Sequence, residues 1–235
     1  MKHMLAALAL CLAATPASAV DRNFGVSGFD RIRVDGDYKV TVTNGVAPYA
    51  KARGSMRALD GVSVRVEGRT LVISTNKSAN WGGYPGESAG PVEILVGTHE
   101  LSAAWVNGGG SVAIDKVRGL SFETSAQGAG MVSIAAMDVD QFKLVLAGAA
   151  TARLGGRAAM TTAIVRGSSL LDGEALAVKD ATIGTQGPAI VKLNVSSTAK
   201  IDAIGVSSIT LTGEPACTNK VQGSASITGC RAPRR

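Results

Sequence analysis

Six glycines, Gly108, Gly128, Gly148, Gly167, Gly187 and Gly205, recur about every 20 residues through the second half of this 235-residue chain. The positions four and six places after each are Val112/Ile114, Val132/Ile134, Ala152/Leu154, Leu171/Gly173, Val191/Leu193 and Ile209/Leu211. Ten of these twelve are aliphatics larger than Ala, and the residues between them are mostly small or polar. A second, less regular column precedes the glycines at Phe142, Leu144, Leu146 and Ile183. A sandwich of short strands also gives turn signals at intervals, but nothing in it keeps one offset apolar through six turns. A coil that returns to its starting point each repeat does. One winding cannot bury its inner face alone, so like residues of successive windings pile on one another. At about 4.8 Å per parallel strand, six windings make a stack of roughly 24 Å. The glycines suit corners of positive φ, which a β-branched residue resists.

Before residue 101 the pattern is different. Ile32-Arg33-Val34, Lys39-Val40-Thr41-Val42, Val62-Ser63-Val64-Arg65-Val66 and Leu71-Val72-Ile73 alternate with period two, which puts one set of side chains on a buried face. Asp35-Gly36, Asn44-Gly45, Asp60-Gly61 and Glu67-Gly68 punctuate them, and Gly after an acid or amide is a hairpin signal. Residues 29 to about 100 therefore read as antiparallel strands joined by tight turns. Helical periodicity is almost absent. The expected fold is all-β: a parallel β-helix-like stack of about six coils preceded by an antiparallel β segment. Residues 20–100 would cap the stack, 101–213 would form the repeats, and 214–235 would close the far end.

The first 19 residues read as a signal peptide. Lys2 and His3 precede the apolar run Met4 to Ala14, and Ala17-Ser18-Ala19 is a small-x-small cleavage site. The run is about half the roughly 20 residues a spanning helix needs, and no later segment is longer and as apolar. Leu10 before Cys11 argues against lipidation. Cleavage leaves Cys217 and Cys230, and an even pair in an exported chain reads as a disulfide. The expected location is exported: periplasm, outer cell envelope or secreted. The net charge of +6 is spread along the chain and aromatics are 4% of residues, so no basic stripe with stacking platforms points to nucleic acid.

The order of several short motifs resembles a known family. Phe29-Asp30-Arg31-Ile32-Arg33-Val34 is similar to the opening of the bacterial head GIN domain, described as an autotransporter adhesin head with no established activity. The resemblance continues through Tyr38-Lys39-Val40-Thr41-Val42, Leu71-Val72-Ile73-Ser74, Val92-Glu93-Ile94-Leu95-Val96 and His99-Glu100-Leu101. It then takes in Asn107-Gly108-Gly109-Gly110-Ser111-Val112 and runs to about Leu211. It implies a β-helix-like fold in an envelope or exported protein. The family's Gly-Ser-Gly turn is degraded here to Gln127-Gly128-Ala129-Gly130 and Ala147-Gly148-Ala149-Ala150, so these turns do not read as a reactive feature. Arg231-Ala232-Pro233-Arg234-Arg235 lacks the look of a membrane-type strand, and no barrel is expected to follow.

Little catalytic chemistry can be assembled. His99 is the single histidine after residue 19, so Ser-His-Asp or Cys-His catalysis would depend on it, and a zinc site would lack ligands. The Gly-rich turns lack the Lys-Ser/Thr of a phosphate loop. No cofactor and no metal is expected. Asp138-Val139-Asp140 would put two acids on one strand face roughly 7 Å apart, within the range of inverting glycosidases. Asp172-Gly173-Glu174 repeats the spacing. The same pattern also suits a solvent-facing edge. Trp81 and Tyr84, in a Gly/Pro/Ser-rich loop from Asn76 to Pro91, are the binding candidates, because aromatic faces stack on sugars or anchor a protein partner. Trp105 reads as packing at the junction. The expected function is a non-catalytic envelope module, binding or adhesin-like, whose partner is an envelope polysaccharide or a protein. The alternatives are a polysaccharide-acting enzyme using Asp138, Asp140, Asp172 and Glu174, and a purely structural envelope protein.

Overall fold

The computed structural model describes residues 20–76 and 90–231. The signal-like residues 1–19 and the aromatic loop carrying Trp81 and Tyr84 lie outside the described residues.

The repeat region winds as its periodicity predicts. β9 (Ser111–Gly128), β10 (Met131–Gly148), β11 (Thr151–Arg166), β12 (Leu170–Gln186) and β13 (Ile190–Gly205) each run through most of one winding. Each pairs in parallel with the next. The molecule is a β-solenoid of about six turns. Its windings have two long faces and a short third side. On the first face, just after the glycine corner, Val112, Val132, Ala152, Leu171, Val191 and Ile209 are in register, and all are buried. On the second face Thr124, Leu144, Ala163, Ile183 and Ile201 form the facing column. Each fully buried aliphatic in these ladders stabilises the fold by about 1.5–3 kcal/mol. Thr124 is tolerated inside because its hydroxyl donates to the Ala104 carbonyl at 2.8 Å.

Stacking forces the corner residue. Gly128 has φ +84, and a Cβ there would sit 2.8 Å from the Gly108 carbonyl oxygen of the winding below. A missing residue is absorbed in the same way. The winding from Gly148 to Gly167 is one residue short, and the β10–β11 register slips between Ile134 and Met137. Gly156 meets Met137 at that point with φ +109, so close that any Cβ would overlap the Met137 backbone.

The first hundred residues join the stack more deeply than hairpin signals suggest. β2 (Arg31–Asp35) lies in parallel between β6 (Thr70–Thr75) and β8 (Ala103–Gly108). β3 (Lys39–Asn44) lies in parallel between β7 (Glu93–Thr98) and β9. The chain therefore lays down one winding as β2–β3 and a second beneath it as β6–β7, then continues above the first. Antiparallel pairing is confined to the far edge. There β5 (Val62–Glu67) pairs with β6, β4 (Tyr49–Gly54) with β7, and β1 (Val20–Phe24) with β4. The expectation of antiparallel strands throughout 29–100 is corrected accordingly. Asp35-Gly36 is a solenoid corner with φ +121, because a corner and a hairpin ask the same positive φ of glycine. Asp60-Gly61 ends a short helix, α1 (Met56–Asp60), whose N-cap Ser55 accepts from the Ala58 amide.

At the other end β14 (Ser208–Thr212) and β15 (Ala216–Gly223) pair with β13, and β16 (Ser226–Thr228) pairs with β14. Cys217 and Cys230 are bonded, with Cα atoms 5.7 Å apart. The Arg231 amide donates to the Pro215 carbonyl at 2.9 Å, so the last winding is closed on itself.

Candidate functional site

The outward residues of the second face form rows of their own. Parallel register sets Ala103 beside Arg31 on one neighbour and Glu123 on the other. Glu123 then lies beside Lys143, and Lys143 beside Thr162. Ala103 is the smallest side chain of this row and is covered by its neighbours, while Trp105, two residues along the same strand, lines the groove. Ser121, Gln141 and Met160 make the adjoining row, and Met160 is 51% exposed. Between the rows lies an open groove of about 610 Å³. Its floor is sealed by Phe122 and Phe142, buried rings stacked at a centroid distance of 6.2 Å and 10° between planes.

Charge in the groove is loosely held. Lys143 Nζ is 3.7 Å from Glu123 Oε1, and Arg31 Nε is 3.9 Å from Asp30 Oδ1. The Lys143–Glu123 pair is exposed on both sides and contributes little, so Lys143 can turn to an incoming anion; Arg31 is itself exposed beside the largely buried Asp30. Asp30 is committed elsewhere: its second oxygen takes Arg69 at 2.8 Å and the Ser102 hydroxyl at 3.2 Å. The groove thus offers one indole ring, hydroxyl and amide groups, and two cations on a rigid sheet. It can hold a ligand.

The sequence-predicted acids sit elsewhere, Asp138 and Asp140 on the short third side and Asp172 on the first face beside Leu171. Asp138 and Asp140 both point outward around buried Val139, as the alternation requires, and line a second, shallower depression of about 400 Å³. Asp138 is clamped by Arg157, with Nε–Oδ1 at 2.6 Å and Nη2–Oδ2 at 2.9 Å. The Arg157 hydrogen bonds hold the Asp138 carboxyl below the usual carboxylate range, the opposite of what a general acid needs. Glu174 pairs with Lys192 at 3.3 Å. Asp172 stands between Arg153 and Lys192 on the neighbouring strands. His99 is exposed in the bend after β7. Among the described residues, no three His, Cys, Asp or Glu side chains gather closely enough to hold a metal ion. Nor is any helix there long and apolar enough to cross a membrane.

Trp105 is half-exposed and lines the groove, so its reading as junction packing is incomplete. The rest of the groove escaped the sequence because its members are ordinary polar residues on five strands. Writing the repeats in register and following the outward positions would have assembled them.

A family model for the "putative auto-transporter adhesin, head GIN domain" matches residues 28–215. No curated protein matches the chain. Among solved structures, a putative adhesin from Bacteroides fragilis is similar at 19% identity and a TM-score of 0.81, covering 89% of this chain and 96% of that one. A putative lipid binding protein from Parabacteroides distasonis is similar at 19% identity and a TM-score of 0.68, covering 90% and 96%. A putative adhesin from Parabacteroides merdae follows at 14% and 0.67, again covering 90% and 96%. At these identities the likeness is one of fold. The solenoid, its glycine corners and the family match over most of the chain agree, and the protein belongs to the head GIN domain family.

Proposed function

We propose that this protein is an exported cell-envelope module that binds as an adhesin does and carries out no catalysis. The observation that carries this reading is the groove beside Trp105: an aromatic ring and two loosely paired cations on a face fixed by parallel pairing. The family description and the adhesin descriptions of similar folds support it. Export is supported by the Cys217–Cys230 bond, which persists in oxidising compartments, and by the signal-like first 19 residues. The periplasm, the outer envelope and the external medium all fit this chemistry. Trp81 and Tyr84 remain a second binding element of this proposal.

The test is retention of envelope fractions and a glycan array by the immobilised chain, followed by analysis of the bound polymer. The expected result is bound polymer of unchanged length. A Trp81→Ala/Tyr84→Ala variant reports on the loop: unchanged retention removes it from the site. Shortened polymer, with shortening abolished in Asp138→Asn/Asp140→Asn/Asp172→Asn/Glu174→Gln, would overturn the non-catalytic reading.

A further inference from the structure

We infer that the groove beside Trp105 takes an acidic polysaccharide strand, laid across the strands with one sugar ring on the indole and its anionic groups on Arg31 and Lys143. The inference rests on the binding reading above and gives it a site and a ligand class.

The arrangement favours a repeating polymer. Arg31, Ala103, Glu123, Lys143 and Thr162 come from five consecutive strands. At about 4.8 Å per strand the row is roughly 19 Å long, with the two cations about three strands apart. A ligand following it meets one side chain at each regular step, with a cation at the first and fourth. Trp105 presents part of its indole to the groove, and the exposed polar groups of Gln141 and Thr162 suit hydroxyl-rich partners. With the ion-paired neighbours included, the cations Arg31, Lys143 and Arg69 outnumber the anions Glu123 and Asp30 by one, so the groove favours negative charge.

Other occupants fit less well. An acyl chain needs an enclosed apolar tunnel, whereas the stacked Phe122 and Phe142 close the floor. An added peptide strand needs a free backbone edge. Here β2, β8, β9, β10 and β11 are each paired on both sides across the groove. Single-stranded nucleic acid binds through successive aromatic platforms, and the groove presents one partly exposed ring.

The experiment measures binding of the full chain to polygalacturonate, a neutral polymer of similar length, a homopolymeric single-stranded DNA and vesicles containing anionic phospholipid. Polygalacturonate is the expected ligand, with binding that weakens as salt rises. Trp105→Ala should weaken it about tenfold, a typical loss for one stacked ring. Arg31→Gln/Lys143→Gln, at exposed positions that leave the core intact, should weaken it severalfold and remove the preference for the acidic over the neutral polymer. Arg153→Gln, on the other long face, should bind as the parent does. Equal binding of neutral and acidic polymers, or preferred binding of DNA or vesicles, would overturn the ligand class. Binding unchanged in both groove variants would overturn the site while leaving the module reading in place. Failure of the parent to retain any envelope fraction or polymer would sink the module reading as well.

Discussion

Gly173 lies directly beneath Leu193: a Cβ built on the glycine would come 2.5 Å from Leu193 Cδ2. Gly173 is the one position where the six-place offset of the repeat loses its side chain altogether, and the next winding supplies the missing volume. Its φ is not in the left-handed region, so the requirement is one of space. Gly173→Val is expected to cost roughly 1–3 kcal/mol by overpacking. A double-mutant cycle with Leu193→Ala should recover much of that cost, since the smaller residue vacates the space. Denaturant unfolding reads both, and strict additivity would refute the contact.

Thr161 stacks between Phe142 and Ala181 in the inner column. It is 2% exposed, and its hydroxyl oxygen has no hydrogen-bond partner. Leaving such a group unsatisfied costs about 1–3 kcal/mol. Thr161→Val keeps the shape and removes the cost, so the melting temperature should rise. Thr161→Ser keeps the hydroxyl, deletes a methyl and should lower it. A fall with Val would mean that the hydroxyl finds a partner in solution.

The glycine corners and aliphatic offsets were legible because parallel stacking reuses one position in every winding. Chain order did not reveal stack order. The 72-residue step that sets Val40 beside Val112 leaves no periodic trace, since only one winding is displaced. Asp35-Gly36 looked like a hairpin because glycine answers to the local φ, whichever strand the chain enters next. A five-residue helix at Met56–Asp60 is too short to show a period. Asp138 and Asp140 share one strand face as the alternation predicts, but Arg157, 19 residues from Asp138, reaches it only once windings are stacked.

The bond between Cys217 and Cys230 spans 13 residues, and a loop of this size is worth about 3 kcal/mol in the chain-entropy view. Because the bond closes only the terminal winding, reduction should release that winding alone. Hydrogen exchange is expected to quicken across residues 208–231 and stay slow at Val132, Leu144 and Val165. Uniform quickening along the chain would contradict this.

Asp21 on β1 is held by Arg53 at 2.8 Å and Lys51 at 2.7 Å on β4. The Arg53 hydrogen bond, then that of Lys51, pulls the Asp21 carboxyl far below its ordinary value of 3.8. A carboxylate whose folded pKa is depressed stabilises fully above its unfolded pKa. That contribution is lost as pH falls below about 4. Amide protection of β1 should therefore be level from neutral pH to about 5 and fall below 4. In Asp21→Asn it should be weaker and lose this dependence. Fraying that begins near pH 6 would assign the edge to another group.

Ile134 is stacked between Ile114 and Leu154, and all three are buried. Whether windings share one dry interior is decided most directly by the unfolding transition of Ile134→Asp, measured beside Ile134→Val. A continuous column predicts a loss of about 0.5–1.5 kcal/mol for Val. For Asp it predicts collapse of the cooperative transition, because a buried unpaired carboxylate costs several kcal/mol and both neighbours lose their packing. An Asp variant that unfolds at the same midpoint as the parent would contradict the account.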